Sequence, residues 1–207
     1  MKICAIICEF NPFHNGHKYL IEQAKALSDC DKILCIMSGS FTQRGESCVM
    51  GKFDRARHAV LCGADAVIEL PVAFAVAPAE IFAKGALKIL SSVPEVCALA
   101  FGCECRNKTD ILKAAKILLN ESEIFKNALE KALESGESYI KSYEKAFETA
   151  GGKQGLLSSP NNVLAVEYTK AILRSGKNIE ILPINRVGAG YNDSEIITNF
   201  SSASAIR

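Results

Sequence analysis

Several things are missing from this 207-residue sequence, and each absence removes a class of protein. There is no charge surplus: 24 Lys and Arg face 23 Asp and Glu, a formal net charge of +1. Nucleic-acid binders usually carry a basic excess, so the balance does not advertise one, although it does not exclude one. There is no Cys-x-x-Cys among the nine cysteines, and His14, His17 and His58 lie far along the chain from Cys103 and Cys105, so the spacing of a structural zinc site is missing. Most cysteines sit in apolar stretches, where a thiol behaves as a small hydrophobe, and they are expected to be reduced core residues of a reducing compartment. Cys103-Glu104-Cys105 is the one pair placed to act as a redox or adventitious metal site. There is no bilayer-length apolar run: residues 64–83 are interrupted by Asp65, Glu69, Pro71, Pro78 and Glu80, and a span needs about 20 mostly apolar residues. The apolar run after Lys2 covers only Ile3 to Cys8, shorter than the core of an export signal. A cytoplasmic protein without a membrane segment is the expectation. No internal repeat, low-complexity tract or Gly-x-Ser-x-Gly motif occurs.

What is present is ordinary globular composition, 49% hydrophobic and 23% charged, in a length that fits one large domain or two small ones at roughly 100–200 residues each. The first hundred residues alternate between short apolar runs and helical periodicity. Residues 2–9, 32–37, 66–70 and 96–101 read as strands, the first buried on both faces. Residues 16–27, 52–62 and 79–90 read as helices. In the first helix Leu20, Ala24 and Leu27 share a face, and Gly63 is placed to end the second. Strands alternating with helices at this spacing predict an α/β fold, a Rossmann-like parallel sheet with right-handed crossovers. The pattern changes at residues 109–150, which read as consecutive helices with polar joints, followed by a helix at 161–174 and a strand at 179–184. Residues 106–177 therefore read as a helical insertion in the α/β domain. The insertion holds twelve basic and nine acidic residues, against ten and eleven in the first 105.

The most informative stretch is Glu9-Phe10-Asn11-Pro12-Phe13-His14-Asn15-Gly16-His17. It leaves the first strand and opens the first helix, which places it at the carboxyl edge of a parallel sheet, where such folds bind ligands. A helix N-terminus there offers unpaired N–H groups and partial positive charge to phosphate. His14 and His17 add side-chain donors, and Gly16 permits close approach. One such donor is typically worth about 3–4 kcal/mol of transition-state stabilisation. Histidines three apart are also common as metal ligands or surface polar residues; it is the strand-to-helix context that favours a nucleotide phosphate site.

His14-Asn15-Gly16-His17 matches the His-x-Gly-His signature of the HIGH nucleotidyl-transferring superfamily, and Ser201-Ser202-Ala203-Ser204-Ala205-Ile206-Arg207 is similar to its second phosphate motif. Together with Met37-Ser38-Gly39, Phe41, Gln43-Arg44-Gly45-Glu46, Ile68-Glu69-Leu70-Pro71, Phe101-Gly102, Ser159-Pro160-Asn161-Asn162 and Arg186-Val187-Gly188-Ala189-Gly190-Tyr191, these motifs make the whole chain resemble the tRNA(Met) cytidine acetate ligase family. The resemblance implies activation of acetate with ATP, giving acetyl-adenylate and pyrophosphate, and acetylation of N4 of the wobble cytidine of elongator tRNA(Met). It implies ATP contacts from Ile7, Cys8, Glu9, Phe10, Asn11, Pro12, Phe13, His14, Asn15, Gly16, His17, Lys18, Tyr19 and Leu20, and from Gly102, Asn162, Arg186 and Val187. His14 and His17 would act catalytically on the phosphates and Arg207 would help neutralise pyrophosphate. Mg²⁺ would arrive with ATP, held by phosphates and water, since no carboxylate cluster marks a protein cage.

The residues themselves add readings. Gly102 follows the fourth strand and could let a backbone approach adenine or ribose. Asn162 could offer its amide to the nucleotide or simply cap its helix. Arg44 and Lys52 could meet phosphate or tRNA, although a solvated face is the default for them, and Arg55 and Arg57 fit that solvated reading. Asn192 stands where the family often carries His, and Ser47 where Pro is common. Family members continue beyond the second motif into a portion implicated in tRNA handling, so that portion is expected to lie outside this chain. Two other functions stay open: a coenzyme adenylyltransferase using a phosphorylated acceptor, and an ATP-binding module that does not turn over alone.

Overall fold

The computed structural model describes residues 1–105 and 107–186. Five parallel strands form one sheet in the order β3-β2-β1-β4-β5: β1 is Ile3–Cys8, β2 Lys32–Ser38, β3 Ala66–Leu70, β4 Val96–Cys103 and β5 Glu180–Asn185. All six residues of β1 are buried, as expected of a central strand covered on both faces. Ile3, Ala5 and Ile7 face one core layer, while Cys4, Ile6 and Cys8 face the other. This is the two-residue alternation of a strand, read in a sequence too uniformly apolar to reveal it.

Helix α1 (Asn15–Leu27) joins β1 to β2, and α2 (Lys52–Leu61) joins β2 to β3. Both lie on the Cys4–Ile6–Cys8 side. The inner face of α1 is set by Ile21 and Ala24, while Leu27, expected beside Ala24, is 60% exposed at the end of the helix. Gly63, with φ at 112°, follows the last turn of α2. Beyond Pro71 the chain makes an unexpected one-turn helix, α3 (Val72–Ala75), before α4 (Ala79–Leu90) returns it to β4.

The stretch between β4 and β5 supplies α5 (Lys108–Leu119), α6 (Glu123–Glu134), α7 (Tyr139–Thr149), a 3₁₀ turn at Leu156–Ser158, and α8 (Pro160–Ser175). Helices α4, α5 and α8 pack side by side over the second sheet face. The hairpin of α6 and α7 joins the same core through Phe125, Ala146 and Phe147. The helices of residues 106–177 therefore share one continuous apolar layer with the sheet.

No described helix is long and apolar enough to cross a membrane. Of the nine thiols, Cys4, Cys8, Cys35, Cys103 and Cys105 are buried and the others half-buried. In the Cys103–Cys105 pair the Cys103 thiol donates to the carbonyl of Cys105 at 3.0 Å, and burial pushes its pKa up to about 12. That thiol is engaged within its own turn, and among the described residues no group of three His, Cys, Asp or Glu side chains is arranged to hold a metal.

Candidate nucleotide site

The carboxyl end of β1 is shaped by buried polar contacts. Phe10, 1% exposed, takes a left-handed backbone (φ 51°), a conformation rare for a bulky residue and met mainly at functional turns. Its ring packs against Phe13 and His17 at centroid distances of 4.9 Å each. Around this turn wraps the loop after β2. The Gln43 N–H donates to Glu9 Oε1 at 2.6 Å, and the Val49 N–H donates to Asn11 Oδ1 at 2.8 Å. Arg55 binds the parts together. It was expected on a solvated face, yet it is the largest fully buried side chain. Its guanidinium donates to the carbonyls of Glu9 (2.5 Å), Ser38 (3.2 Å), Gly39 and Met50 (3.1 Å). A solvated helix surface was the wrong expectation because the ends of β1 and β2 leave several carbonyls without strand partners, and a planar five-donor fork can satisfy them together. Arg57 is exposed and Lys52 pairs with Glu69 at 2.7 Å.

His14 is the N-cap of α1. Its Nδ1 accepts from the Gly16 N–H at 3.0 Å, and the His14 N–H in turn donates to His17 Nδ1 at 3.3 Å, a reciprocal capping box built from two imidazoles. The His17 N–H bonds back to the His14 carbonyl at 2.9 Å. These helix-end donors, expected to be free for phosphate, are thus spent inside the turn. The imidazoles replace them outward: a ring whose Nδ1 accepts carries its proton on Nε2, a tautomer inferred from the bonding. The rings stack at 3.7 Å between centroids. Burial and then Arg186 push the His14 pKa down to about 4; burial, then His14 and Arg186, push that of His17 well below its usual value. Both are neutral donors near pH 7. No acidic residue occupies the first turn of α1, so its positive dipole end remains uncompensated. Gly16 has a local reason to be glycine: a Cβ there would lie 2.9 Å from His14 Cε1.

Both imidazoles line a cavity of about 730 Å³ at the carboxyl edge of the sheet, within the range of small-molecule sites. From the expected nucleotide contacts it gathers Ile7, Cys8, Glu9, Phe10, Asn11, His14, Gly16, His17, Tyr19, Leu20, Gly102 and Arg186. Gly102 lies within β4 rather than after it, and the Arg186 stem passes over it, with Cγ 3.4 Å from where a Cβ would stand. Pro12, Phe13, Asn15 and Lys18 are absent from the lining, as is Asn162. Asn162 neither faces the cavity nor caps α8: its buried Oδ1 accepts from the N–H groups of Glu104 and Cys105 at 3.0 and 2.9 Å, fixing the turn after β4. Ser159, the N-cap residue of α8, gives its hydroxyl to Glu104, which also accepts from Asn161 at 2.7 Å. Val187, Asn192, the 201–207 motif and Arg207 lie outside the described residues.

The same cavity is also lined by Thr42, Gln43, Arg44 and Glu46 of the loop after β2, by Val76, Ala77, Pro78 and Phe82 from the α3–α4 turn and α4, and by Leu164 and Tyr168 of α8. Burial, with Glu9 and Cys8 nearby, raises the Tyr168 pKa, so its phenol remains protonated. Of these residues only the polar loop carries a sequence signal, through Arg44; the apolar ones read as ordinary core.

Comparison with known proteins gives the site its context. The chain is 43% identical to the tRNA(Met) cytidine acetate ligase of Clostridium novyi, over all of this chain and 53% of that protein. It is 40% identical to that of Thermoanaerobacter sp. (strain X514), over all of this chain and 52% of the relative. The crystal structure of apo Thermotoga maritima TmcAL superposes with a TM-score of 0.92 at 37% identity, covering all of this chain and 50% of the other. The form of that protein bound with alpha-thio ATP gives 0.88 at 35% identity, covering all of this chain and 49% of the other. The chain thus spans about half the length of the curated relatives it matches. The HIGH Nucleotidyl Transferase model matches residues 1–207, and with the paired imidazoles at the head of α1 in place, the chain belongs to the HIGH nucleotidyl transferase family.

Proposed function

We propose that this chain is the acid-activating part of a tRNA(Met) cytidine acetate ligase. It binds ATP, joins acetate to the α-phosphoryl group, and presents the acetyl group to N4 of the wobble cytidine of elongator tRNA(Met). The observation that carries the reading is the pair of neutral imidazoles, His14 and His17, fixed at the positive end of α1 inside the cavity. Sequence identity of about 40% along the whole chain to ligases of that name supports the choice of reaction.

The chemistry asks little covalent work of the protein. An acetate oxygen attacks the α-phosphorus, the bond to the β-bridging oxygen breaks, and pyrophosphate leaves while acetyl-adenylate forms. The nucleophile is the substrate itself, so alignment and charge neutralisation suffice. The Nε2–H groups of His14 and His17 donate to phosphate oxygens as charge grows on them. The Arg186 guanidinium supplies the full positive charge that the neutral imidazoles lack, and the family resemblance adds Val187 and Arg207 as further ATP contacts. Gly102 leaves room beside Arg186 for the ribose or adenine, and Asn162 shapes that wall from behind. Mg²⁺ would arrive with ATP, held mainly by phosphates and water, and would offset phosphate charge beside His14, His17 and Arg186. The apolar part of the lining, with Val76, Ala77, Phe82 and Leu164, takes the acetyl group and then the incoming base. A protein acting on tRNA in this way works in the cytoplasm, and the basic excess of residues 106–177 contributes surface toward the RNA.

Exchange of radiolabelled pyrophosphate into ATP tests the reading: it should require acetate. Exchange indifferent to acetate, with a dinucleotide formed from a phosphorylated acceptor, would identify a coenzyme adenylyltransferase instead. ATP binding without any exchange would leave a nucleotide-binding module.

A further inference from the structure

The amino-terminal edge of the sheet, opposite the cavity, carries a feature the ligase chemistry does not use. Cys30, in the turn between α1 and β2, and Cys97, the second residue of β4, place their sulfurs 3.4 Å apart. Both are half-buried, hence within reach of a small solute. The approach is built by a backbone irregularity. The β1–β4 register runs Ile3 with Val96 and then Cys4 with Ala98, so Cys97 is the extra residue of a β-bulge. A bulge re-aims the side chain it carries. Val96 faces the helix α4 core and Ala98 the helix α1 core, and Cys97, inserted between them, meets Cys30, which packs against the α1 layer. The Cys97 thiol lies 3.8 Å from the Ile3 carbonyl, which anchors it at that edge.

We propose that Cys30 and Cys97 form a reversible disulfide, a modification site for hydroperoxides on the side of the fold away from the nucleotide. The Cys30 sulfur takes an oxygen of hydrogen peroxide: the O–O bond breaks, hydroxide leaves, and a sulfenic acid forms. The Cys97 sulfur attacks the Cys30 sulfur, the S–S bond forms, and a second hydroxide leaves. The two thiol protons convert both hydroxides to water, the sulfurs lose two electrons and the peroxide gains two. A disulfide needs its sulfurs at about 2.05 Å, a closure that side-chain rotation supplies from the present contact. Burial, and then the neighbouring Cys97, raise the Cys30 pKa, so the reaction favours excess peroxide at mildly alkaline pH.

The test uses the whole chain, treated with hydrogen peroxide, alkylated and digested for mass spectrometry. Alkylatable thiols should fall from nine to seven, with one cross-linked peptide joining Cys30 to Cys97. The thermal midpoint should rise by roughly 5–15 °C, because the bond closes a long loop, and dithiothreitol should reverse both changes. Cys30→Ser should keep all eight remaining thiols after the same treatment, whereas Cys97→Ser should form no cross-link and leave Cys30 as a sulfenic acid that dimedone labels. Nine alkylatable thiols after peroxide, a different cross-linked pair, loss of thiols in Cys30→Ser, or dimedone labelling away from Cys30 in Cys97→Ser would each overturn the assignment. The readout is on sulfur, so its outcome is independent of the ATP reading.

Discussion

Replacing Arg55 with Ala removes the side chain that joins carbonyls at the carboxyl ends of both β1 and β2 to the loop between β2 and α2. The wild-type guanidinium is fully buried and serves the carbonyls of Glu9, Ser38, Gly39 and Met50. Truncation leaves four acceptors facing a hole. Each lost bond to a charged donor is worth about 1.5–3 kcal/mol, but water entering from the neighbouring cavity restores part of the solvation. The net cost is therefore nearer the 3–5 kcal/mol typical of breaking one side of a buried charged network. For a chain of this size that corresponds to a fall of about 6–20 °C in the thermal midpoint. Arg55→Lys, which keeps the charge but loses the planar fork, should fall in between. The damage should also reach the site, because the Glu9 carbonyl leads directly into the His14 segment. ATP affinity measured by calorimetry well below the midpoint should drop by about tenfold or more, about 1.4 kcal/mol. Circular dichroism melting curves with a midpoint shift under about 2 °C, together with unchanged ATP affinity, would refute the claim that Arg55 holds the site together.

Other perturbations act on the imidazole pair and the core. Because the folded-state pKa of His14 is about 4 and that of His17 is also depressed, the unfolded chain, with histidines near 6.5, binds more protons between those values. Their contribution to stability is therefore complete above about pH 6.5 and is lost as pH falls toward and through about 4. A His14→Gln, His17→Gln variant should show a flatter midpoint-against-pH curve over that window; the same slope as wild type would contradict the assignment. Gly16→Ala should push the His14 ring aside, since a Cβ would sit 2.9 Å from Cε1. ATP affinity should fall by about tenfold or more while the melting midpoint changes little, because Ala is about 1 kcal/mol better than Gly in a helix. Gly85→Ala should instead melt lower and bind normally: its Cβ would lie 2.3 Å from Phe74 Cγ, an overpacking cost of about 1–3 kcal/mol.

Local signals made much of this legible. The apolar runs of β1, β2 and β4, the periodicity of the helices, and the position of His14-Asn15-Gly16-His17 at a strand-to-helix junction all concern neighbours in sequence, and the structure places them accordingly. The features that were not legible come from residues brought together over distance. Arg55 reads like Arg57 two positions away, and only the unpaired carbonyls at two strand ends distinguish them. Leu27 carries the right period for the inner face, but it is the last residue of α1 and stays exposed, and Ile21 takes the buried place. Asn162 looks like a cap or a ligand contact until the turn at Glu104 and Cys105 arrives to use its carbonyl oxygen. The apolar lining comes from the α3–α4 turn, α4 and α8, which meet only in the folded chain, so its residues are indistinguishable in sequence from core. Cys30 and Cys97 meet across 67 residues of sequence, so no local spacing announces their contact as it does for Cys103 and Cys105.

In the proposed reaction two neutral imidazoles at the head of α1, His14 and His17, hold the phosphates of ATP. Calorimetric titration of ATP into the wild-type chain and into a His14→Ala, His17→Ala variant tests it most directly. Two lost hydrogen bonds to charged oxygens, at about 1.5–3 kcal/mol each, should weaken binding by more than about 100-fold. An equal affinity in the two proteins, with the double variant folded, would contradict it.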